Sequence, residues 1–229
     1  MRARFRTVVL TGATSGIGEA TALRLAGVPN RLILLGGESE EDVARTLQRI
    51  RRAGAARVNY FAADFARLAE VADAAARVRG LATSIDLLIN VGSSAHRIEH
   101  FHFEDVDLEH DYSPVSAYAR AKLAMVTWSS LLAGEEAGTG IQVVALCPGL
   151  NDTPLSAAMT GGIGGPPSNG AARVLYAASA AVPSGSYLED DQVVAPSSEV
   201  VDTANRSRLT ALFQERLASF AGHPTRATA

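Results

Sequence analysis

Between Val8 and Val91 the chain alternates short apolar runs with longer stretches whose apolar residues recur at helical spacing. Val8-Val9-Leu10 stops at Thr11, glycines follow at 12, 16 and 18, and an alanine-rich helical pattern runs from Glu19 to Ala26. Arg31 to Leu35 (R-L-I-L-L) reads as a buried strand ended by Gly36-Gly37. Glu40 to Ala53 carries Val43, Leu47 and Ile50 between charges, the spacing of a helix. Arg57 to Ala62 is a third strand, closed by Asp64-Phe65, and Leu68 to Leu81 a further amphipathic helix. Asp86 to Val91 (D-L-L-I-N-V) is a fourth strand. Strict alternation of this kind predicts an α/β fold: a Rossmann-like, doubly wound, mostly parallel sheet with right-handed crossovers. A single domain over residues 1–229 accommodates it.

The period then lapses. Gly92 to Tyr112 is polar, holds four of the five histidines, and reads as a long loop over the C-terminal edge of the sheet. Ser113-Pro114 is a helix start, serine as N-cap and proline in the first turn, and the helix runs to about Ala137 before Gly138 and Gly140. Ile141 to Leu146 is a strand, followed by Cys147-Pro148-Gly149. The glycine- and proline-rich stretch from Thr160 to Gly170 has the composition of a mobile loop. Ala171 to Ala178 is helical, Ser186 to Leu188 a short last strand, and Leu209 to Phe220 a final amphipathic helix.

Composition narrows the function classes. Apolar residues make up 47% and charged residues 20%, which is ordinary for a globular protein. A formal net charge of −3 argues against nucleic acid or an anionic membrane as partner. No apolar run approaches the roughly 20 residues that span a bilayer. Cys147 is the only cysteine, so an internal disulfide is excluded and a cytoplasmic location is expected.

Two patterns carry chemistry. The order strand, glycine turn, helix places unpaired N–H groups and a positive dipole end where a phosphate can meet them. In it Gly12 permits the sharp turn, Gly16 lets backbone approach a pyrophosphate, and Gly18 allows close helix–strand packing. Tyr118 and Lys122 stand four apart on one helix face. A phenol, with a reference pKa of about 10, needs help to exchange a proton near neutral pH, and an ammonium one turn away supplies it. Alone, such a pair reads as a packed tyrosine and a solvated lysine; after a dinucleotide turn and the serines Ser93-Ser94 it reads as a proton-transfer pair. The histidines 96, 100, 102 and 110 lack the cysteines and fixed ligand pairs of a metal site and read as exposed loop residues, with one of them lining the pocket as the alternative. Trp128 reads as core, and Glu189-Asp190-Asp191 as a solvated turn.

These residues together resemble the short-chain dehydrogenases/reductases over nearly the whole chain. T-G-A-T-S-G-I-G at 11–18 resembles the family's cofactor turn, Asp64-Phe65 its adenine contact, Y-A-R-A-K at 118–122 its active-site helix, and C-P-G-L-N-D-T at 147–153 its nicotinamide-side loop. S-A-H-R-I at 94–98, Y-S-P at 112–114 and G-A-A-R-V-L-Y-A-A at 170–178 resemble the retinol-dehydrogenase-like branch. The resemblance implies that Ser93, or else Ser94, bonds the substrate oxygen, that Tyr118 transfers the proton, and that Lys122 holds the ribose and assists Tyr118. It implies cofactor contacts at Gly12, Thr14, Ser15, Gly16, Ile17, Gly18, Gly37, Asp64, Phe65, Asn90, Tyr118, Lys122, Pro148, Gly149 and Thr153.

The chain also departs from that family. Asp86 to Asn90 resembles one family strand, yet Val91 to Arg97 resembles the end of the next, so on the order of fifty residues are absent between them. No residue matches the catalytic asparagine, and a sheet of about six strands, one helix and one strand short, is expected. The family's usual dimer interface uses that helix, so a homo-oligomer is possible but its usual surface is lacking. Gly36 and Gly37 occupy the positions of the usual cofactor-selecting residues. The branch implies NADP, while Glu38 weighs against a 2′-phosphate and leaves NAD possible. The function implied is hydride transfer between nicotinamide and a small-molecule alcohol or ketone, lipophilic in character. The alternatives are an impaired binding or regulatory protein and a non-redox enzyme on the same scaffold.

Overall fold

The computed structural model describes residues 6–82 and 84–221. They divide into two compact units, one of residues 6–82, 84 and 151–172, the other of 85–150 and 173–221.

In the first unit the apolar runs become β1 (Thr7–Thr11), β2 (Arg31–Gly36) and β3 (Arg57–Ala62), a parallel sheet in the order β1-β2-β3. They alternate with α1 (Gly16–Leu25), α2 (Ala44–Ala53) and α3 (Leu68–Arg79). β2 is the middle strand, and its unbroken apolar run is explained by burial on both faces. Ile33 and Leu35 pack with Ala63 and Ala74, while Leu32 and Leu34 point the other way and are equally enclosed. Leu47 and Ile50, the predicted inward stripe of α2, are fully buried. A short helix, α5 (Pro154–Thr160), and the start of α6 (Pro167–Ser179) also belong to this unit.

The second unit holds β4 (Leu87–Val91), β5 (Gln142–Leu146), β6 (Tyr187–Glu189) and β7 (Gln192–Val194), in the order β4-β5-β6-β7. The first three are parallel and β7 returns antiparallel to β6. A 3-10 turn at Ser94–Arg97 leads from β4 into the long loop. The 22-residue helix α4 (Pro114–Glu135) starts where the sequence places it: Ser113 accepts a hydrogen bond from the Ser116 N–H at 3.1 Å, and Pro114 opens the first turn. Its Leu123 and Val126 pack with Ala145, Cys147, Tyr187 and Val200. The last of these sits on α7 (Ser198–Val201), ahead of α8 (Thr203–Ala221). Trp128 meets Phe213 of α8 edge-on at 5.3 Å.

The α/β, Rossmann-like architecture is the one the periodicity predicts, with differences of detail. Among the described residues one strand, β4, lies between α3 and α4. The strands pair as two sheets, three and four strands, rather than as one of about six, and β1 and β4 are each the outer strand of their own. Both are only partly buried along their length, unlike β2. β7 is the strand the sequence reading lacked. Asp190 and Asp191 both take positive φ, 50° and 61°, in the two-residue turn that makes β6 and β7 a hairpin. The helices α6 and α8 begin earlier than expected, at Pro167 and Thr203.

Candidate active site

The first unit builds the glycine turn. After β1 the backbone turns at Gly12 (φ 61°) and Gly16 (φ 54°), and Ala13 N–H donates to the Leu35 carbonyl at 3.1 Å, tying the turn to β2. A Cβ on Gly18 would collide with the backbone of Gly12 and Ala13, so only glycine lets α1 start this close to the strand. Ser15 is the extended N-cap of α1. The first-turn N–H groups have no partner inside the helix, and the Ser15 side chain does not cap them. Ile17 lies against Gly170, whose N–H donates to the buried Asn151 Oδ1 at 2.9 Å.

Thr153 comes to this turn. Its methyl group would stand 3.1 Å from a Cβ on Gly16, while its hydroxyl caps α5 by accepting from the Ser156 N–H at 3.2 Å. At the end of β2 the Thr14 hydroxyl donates to Glu38 Oε2 at 2.9 Å, and the Tyr60 hydroxyl donates to the Glu38 carbonyl at 2.6 Å. That carboxylate lies 3.0 Å from where a Gly36 Cβ would be, whereas a Cβ on Gly37 would meet only the Ala63 carbonyl, at 4.0 Å. Burial, then the negative charge of Glu38, Glu40 and Asp42, pushes the Tyr60 hydroxyl above its ordinary range. Asp64 and Phe65 follow β3: the Asp64 carboxylate accepts from the Ala66 N–H at 2.9 Å and the Phe65 ring is exposed.

The second unit carries the tyrosine and lysine that the sequence reads as a pair. Tyr118 and Lys122 lie one turn apart on α4, with Lys122 Nζ 5.5 Å from the centre of the Tyr118 ring. Nζ donates to the Val91 carbonyl at the end of β4, 2.9 Å away. Burial lowers the lysine's proton affinity below its ordinary range. Gly92 is pressed between Val126 of α4 and the Leu146 carbonyl of β5, which fixes where the chain leaves β4. Ser93 follows, its oxygen accepting from the Ala95 N–H at 3.2 Å and its hydroxyl proton left for another acceptor. Ser94 is exposed in the next position. Pro148 and Gly149 (φ 75°) extend from β5, with the Arg173 guanidinium beside Gly149.

Asn90, expected among the cofactor contacts, is tied to the neighbouring helix. Its amide nitrogen donates to Ser129 Oγ on α4 at 2.8 Å, so that side chain locks β4 to the helix. Sequence reasoning also left His96 among loop residues. It is fully buried, and the sole sequence signal was its place three residues after Ser93. Of the other histidines, His100 pairs with Glu199, His102 with Glu104 and His110 with Asp105.

Known proteins agree with this architecture. Residues 6–110 match the family model for short chain dehydrogenase. A protein described as a daunorubicin C-13 ketoreductase, DnrU of Streptomyces sp. (strain C5), is 42% identical over 83 residues, covering 36% of this chain and 29% of that protein. Human retinol dehydrogenase 13 is 26% identical over 199 residues, covering 66% of this chain and 60% of the relative. The chain thus spans less than two thirds of the length of both. The crystal structure of NADPH-bound carbonyl reductase from chicken fatty liver superposes with a TM-score of 0.66 at 18% identity, covering 84% of this chain and 100% of that one, a likeness of fold. By these matches the chain is similar to the short-chain dehydrogenases/reductases.

Among the described residues no helix is long and apolar enough to cross a membrane.

Proposed function

We propose that this chain is a dehydrogenase/reductase that moves hydride between a nicotinamide dinucleotide and an alcohol or ketone. One observation carries the reading: Lys122 Nζ is fixed on the Val91 carbonyl at 2.9 Å while facing the Tyr118 ring, two residues of chain from Ser93. A solvated structural lysine has no need of that arrangement. The positive φ at Gly12 and Gly16, and the lack of room for a side chain on Gly18, fit a pyrophosphate at the start of α1. Gly12 to Gly18 would hold it, with Gly37, Asp64 and Phe65 on the adenosine side and Thr153 beside the turn. The bound cofactor supplies or accepts the hydride. In reduction the Tyr118 hydroxyl gives its proton to the carbonyl oxygen, Lys122 stabilises the phenolate that remains, and the Ser93 hydroxyl donates to the same oxygen.

Of the two cofactors, Glu38 weighs toward NAD. A carboxylate held at the end of β2 accepts a ribose hydroxyl and repels a phosphate. Ile98, Tyr112 and Val115, exposed apolar residues close in sequence to Ser93 and Tyr118, support a lipophilic substrate. A single, buried thiol at Cys147 fits a cytoplasmic location. The second reading, a binding protein that no longer turns over, draws on Asn90 being committed to Ser129 and on the unmatched catalytic asparagine.

Reduction of a ketone and aldehyde panel with NADH and NADPH separates the two. Tyr118→Phe should lower kcat by about 10²–10⁴-fold and leave the cofactor dissociation constant, read by nicotinamide fluorescence, within about threefold. Cofactor binding with no turnover on any substrate, by either protein, establishes the binding reading instead.

A further inference from the structure

His96 is fully buried, and both ring nitrogens are used. Nδ1 lies 2.7 Å from the Ser93 carbonyl and Nε2 lies 3.0 Å from the Ser197 N. These partners settle the tautomer. An amide N–H can only donate, so Nε2 accepts and carries no proton; a carbonyl can only accept, so Nδ1 carries the proton and donates. The ring therefore bridges Ser93, just past β4, to the loop before α7, 101 positions from His96 in sequence. Its face is fixed by Tyr187, edge-on at 4.8 Å. Arg97 repeats the connection one residue on, donating to the Ala195 carbonyl at 2.7 Å and to Glu189 at 3.0 Å. The Ser93 carbonyl also accepts from the His96 N–H at 3.2 Å, one weak bond of a short 3-10 turn, and an interior polar ring is costly unless both nitrogens are paired.

We propose that His96 is a positioning residue for Ser93: its Nδ1–H holds the Ser93 main chain, while Nε2 anchors that hold to the Ser197 loop. This rests on the reading of Ser93 as the residue that bonds the substrate oxygen. Displacing that hydroxyl by about 1 Å would cost on the order of a hundredfold in rate. The charged and titratable groups facing the ring are Arg97 beside it and Tyr187 and Glu189 on β6.

Two substitutions take the bridge apart one bond at a time. In His96→Asn the amide nitrogen falls near the place of Nδ1, keeping the bond to Ser93 and losing the one to Ser197. In His96→Gln the amide reaches the place of Nε2, keeping Ser197 and losing Ser93. Turnover, KM for ketone, cofactor affinity and amide hydrogen exchange over residues 93–98 are measured on both. The proposal expects His96→Gln to lose about 10–100-fold in kcat, with cofactor affinity unchanged and faster exchange at Ala95 and His96. It expects His96→Asn to stay within about threefold of the parent kcat. Equal loss of kcat in both variants, or unchanged exchange over 93–98 in His96→Gln, overturns it. If the parent protein shows no turnover, the functional reading has failed by itself, and hydrogen exchange alone then decides whether His96 holds Ser93.

Discussion

Single residues set the terms of both chemistry and stability. Glu38 stands two residues past the end of β2, and the Thr14 hydroxyl from the glycine turn fixes its carboxylate. NADH is expected to bind more tightly than NADPH. Glu38→Gln should narrow the ratio of the two dissociation constants by about tenfold, since it removes one unit charge from the place a 2′-phosphate would enter. Titration of both cofactors by fluorescence reads the ratio directly, and an unchanged ratio denies Glu38 the role. His96 has a consequence for pH that does not depend on catalysis. Burial lowers its proton affinity in the folded chain, whereas the unfolded chain takes up the proton near the ordinary value of about 6.5. The unfolded state therefore binds more protons in the window below 6.5, and stability present above it is lost as pH falls toward the depressed folded value. The slope is at most about 1.4 kcal/mol per pH unit for this one group. Urea unfolding at pH 7.5 and 5.5 should show a larger decrease in the parent than in His96→Asn; equal decreases would locate the effect elsewhere.

Elements carry the residues to their places. α4 presents Tyr118 and Lys122 on one face because its start is specified locally, by Ser113 as N-cap and Pro114 after it. Ser113→Ala removes the acceptor for the Ser116 N–H and should cost about 1 kcal/mol, a melting-point decrease of roughly 2–4 °C for a chain of this size. Ser113→Asp should hold the parent value, because a carboxylate caps the same N–H and suits the helix dipole. A thermal melt of the two variants tests whether the cap or merely the serine volume matters. β4 plays the complementary part. Its last carbonyl accepts from Lys122 and its Asn90 amide donates to Ser129, so the strand and the helix are locked at two points.

At the scale of the whole molecule, cofactor binding is expected to stabilise the folded chain by mass action. At a concentration of NADH a hundredfold above its dissociation constant the gain is about 2.7 kcal/mol, or roughly 5–11 °C in melting temperature. Gly16→Val should abolish that shift. Its new side chain meets Thr153 and forces a branched residue into the left-handed backbone that Gly16 occupies at φ 54°. A Gly16→Val protein that still gains the full NADH-dependent shift would sink the assignment of this turn as the dinucleotide site.

What the sequence determined by itself was local. The strand–glycine turn–helix order, the buried run of β2, the inward stripe of α2, the N-cap of α4 and the i, i+4 pairing of Tyr118 with Lys122 all depend on neighbours within a few residues. The count of one strand between α3 and α4 was legible for the same reason. The hairpin of β6 and β7 was written in Y-L-E-D-D-Q-V-V and passed over, because two aspartates read as a solvated turn without regard to the apolar residues on either side. Tertiary structure alone decided the rest. It divided the strands into two sheets, turned Asn90 toward Ser129 39 positions away, and brought Thr14 to Glu38 across 24. It also set Lys122 on the Val91 carbonyl and His96 between Ser93 and Ser197. Their partners are backbone carbonyls, amides and distant side chains, and every residue type offers a carbonyl, so no pattern of side chains along the chain can mark which one is met.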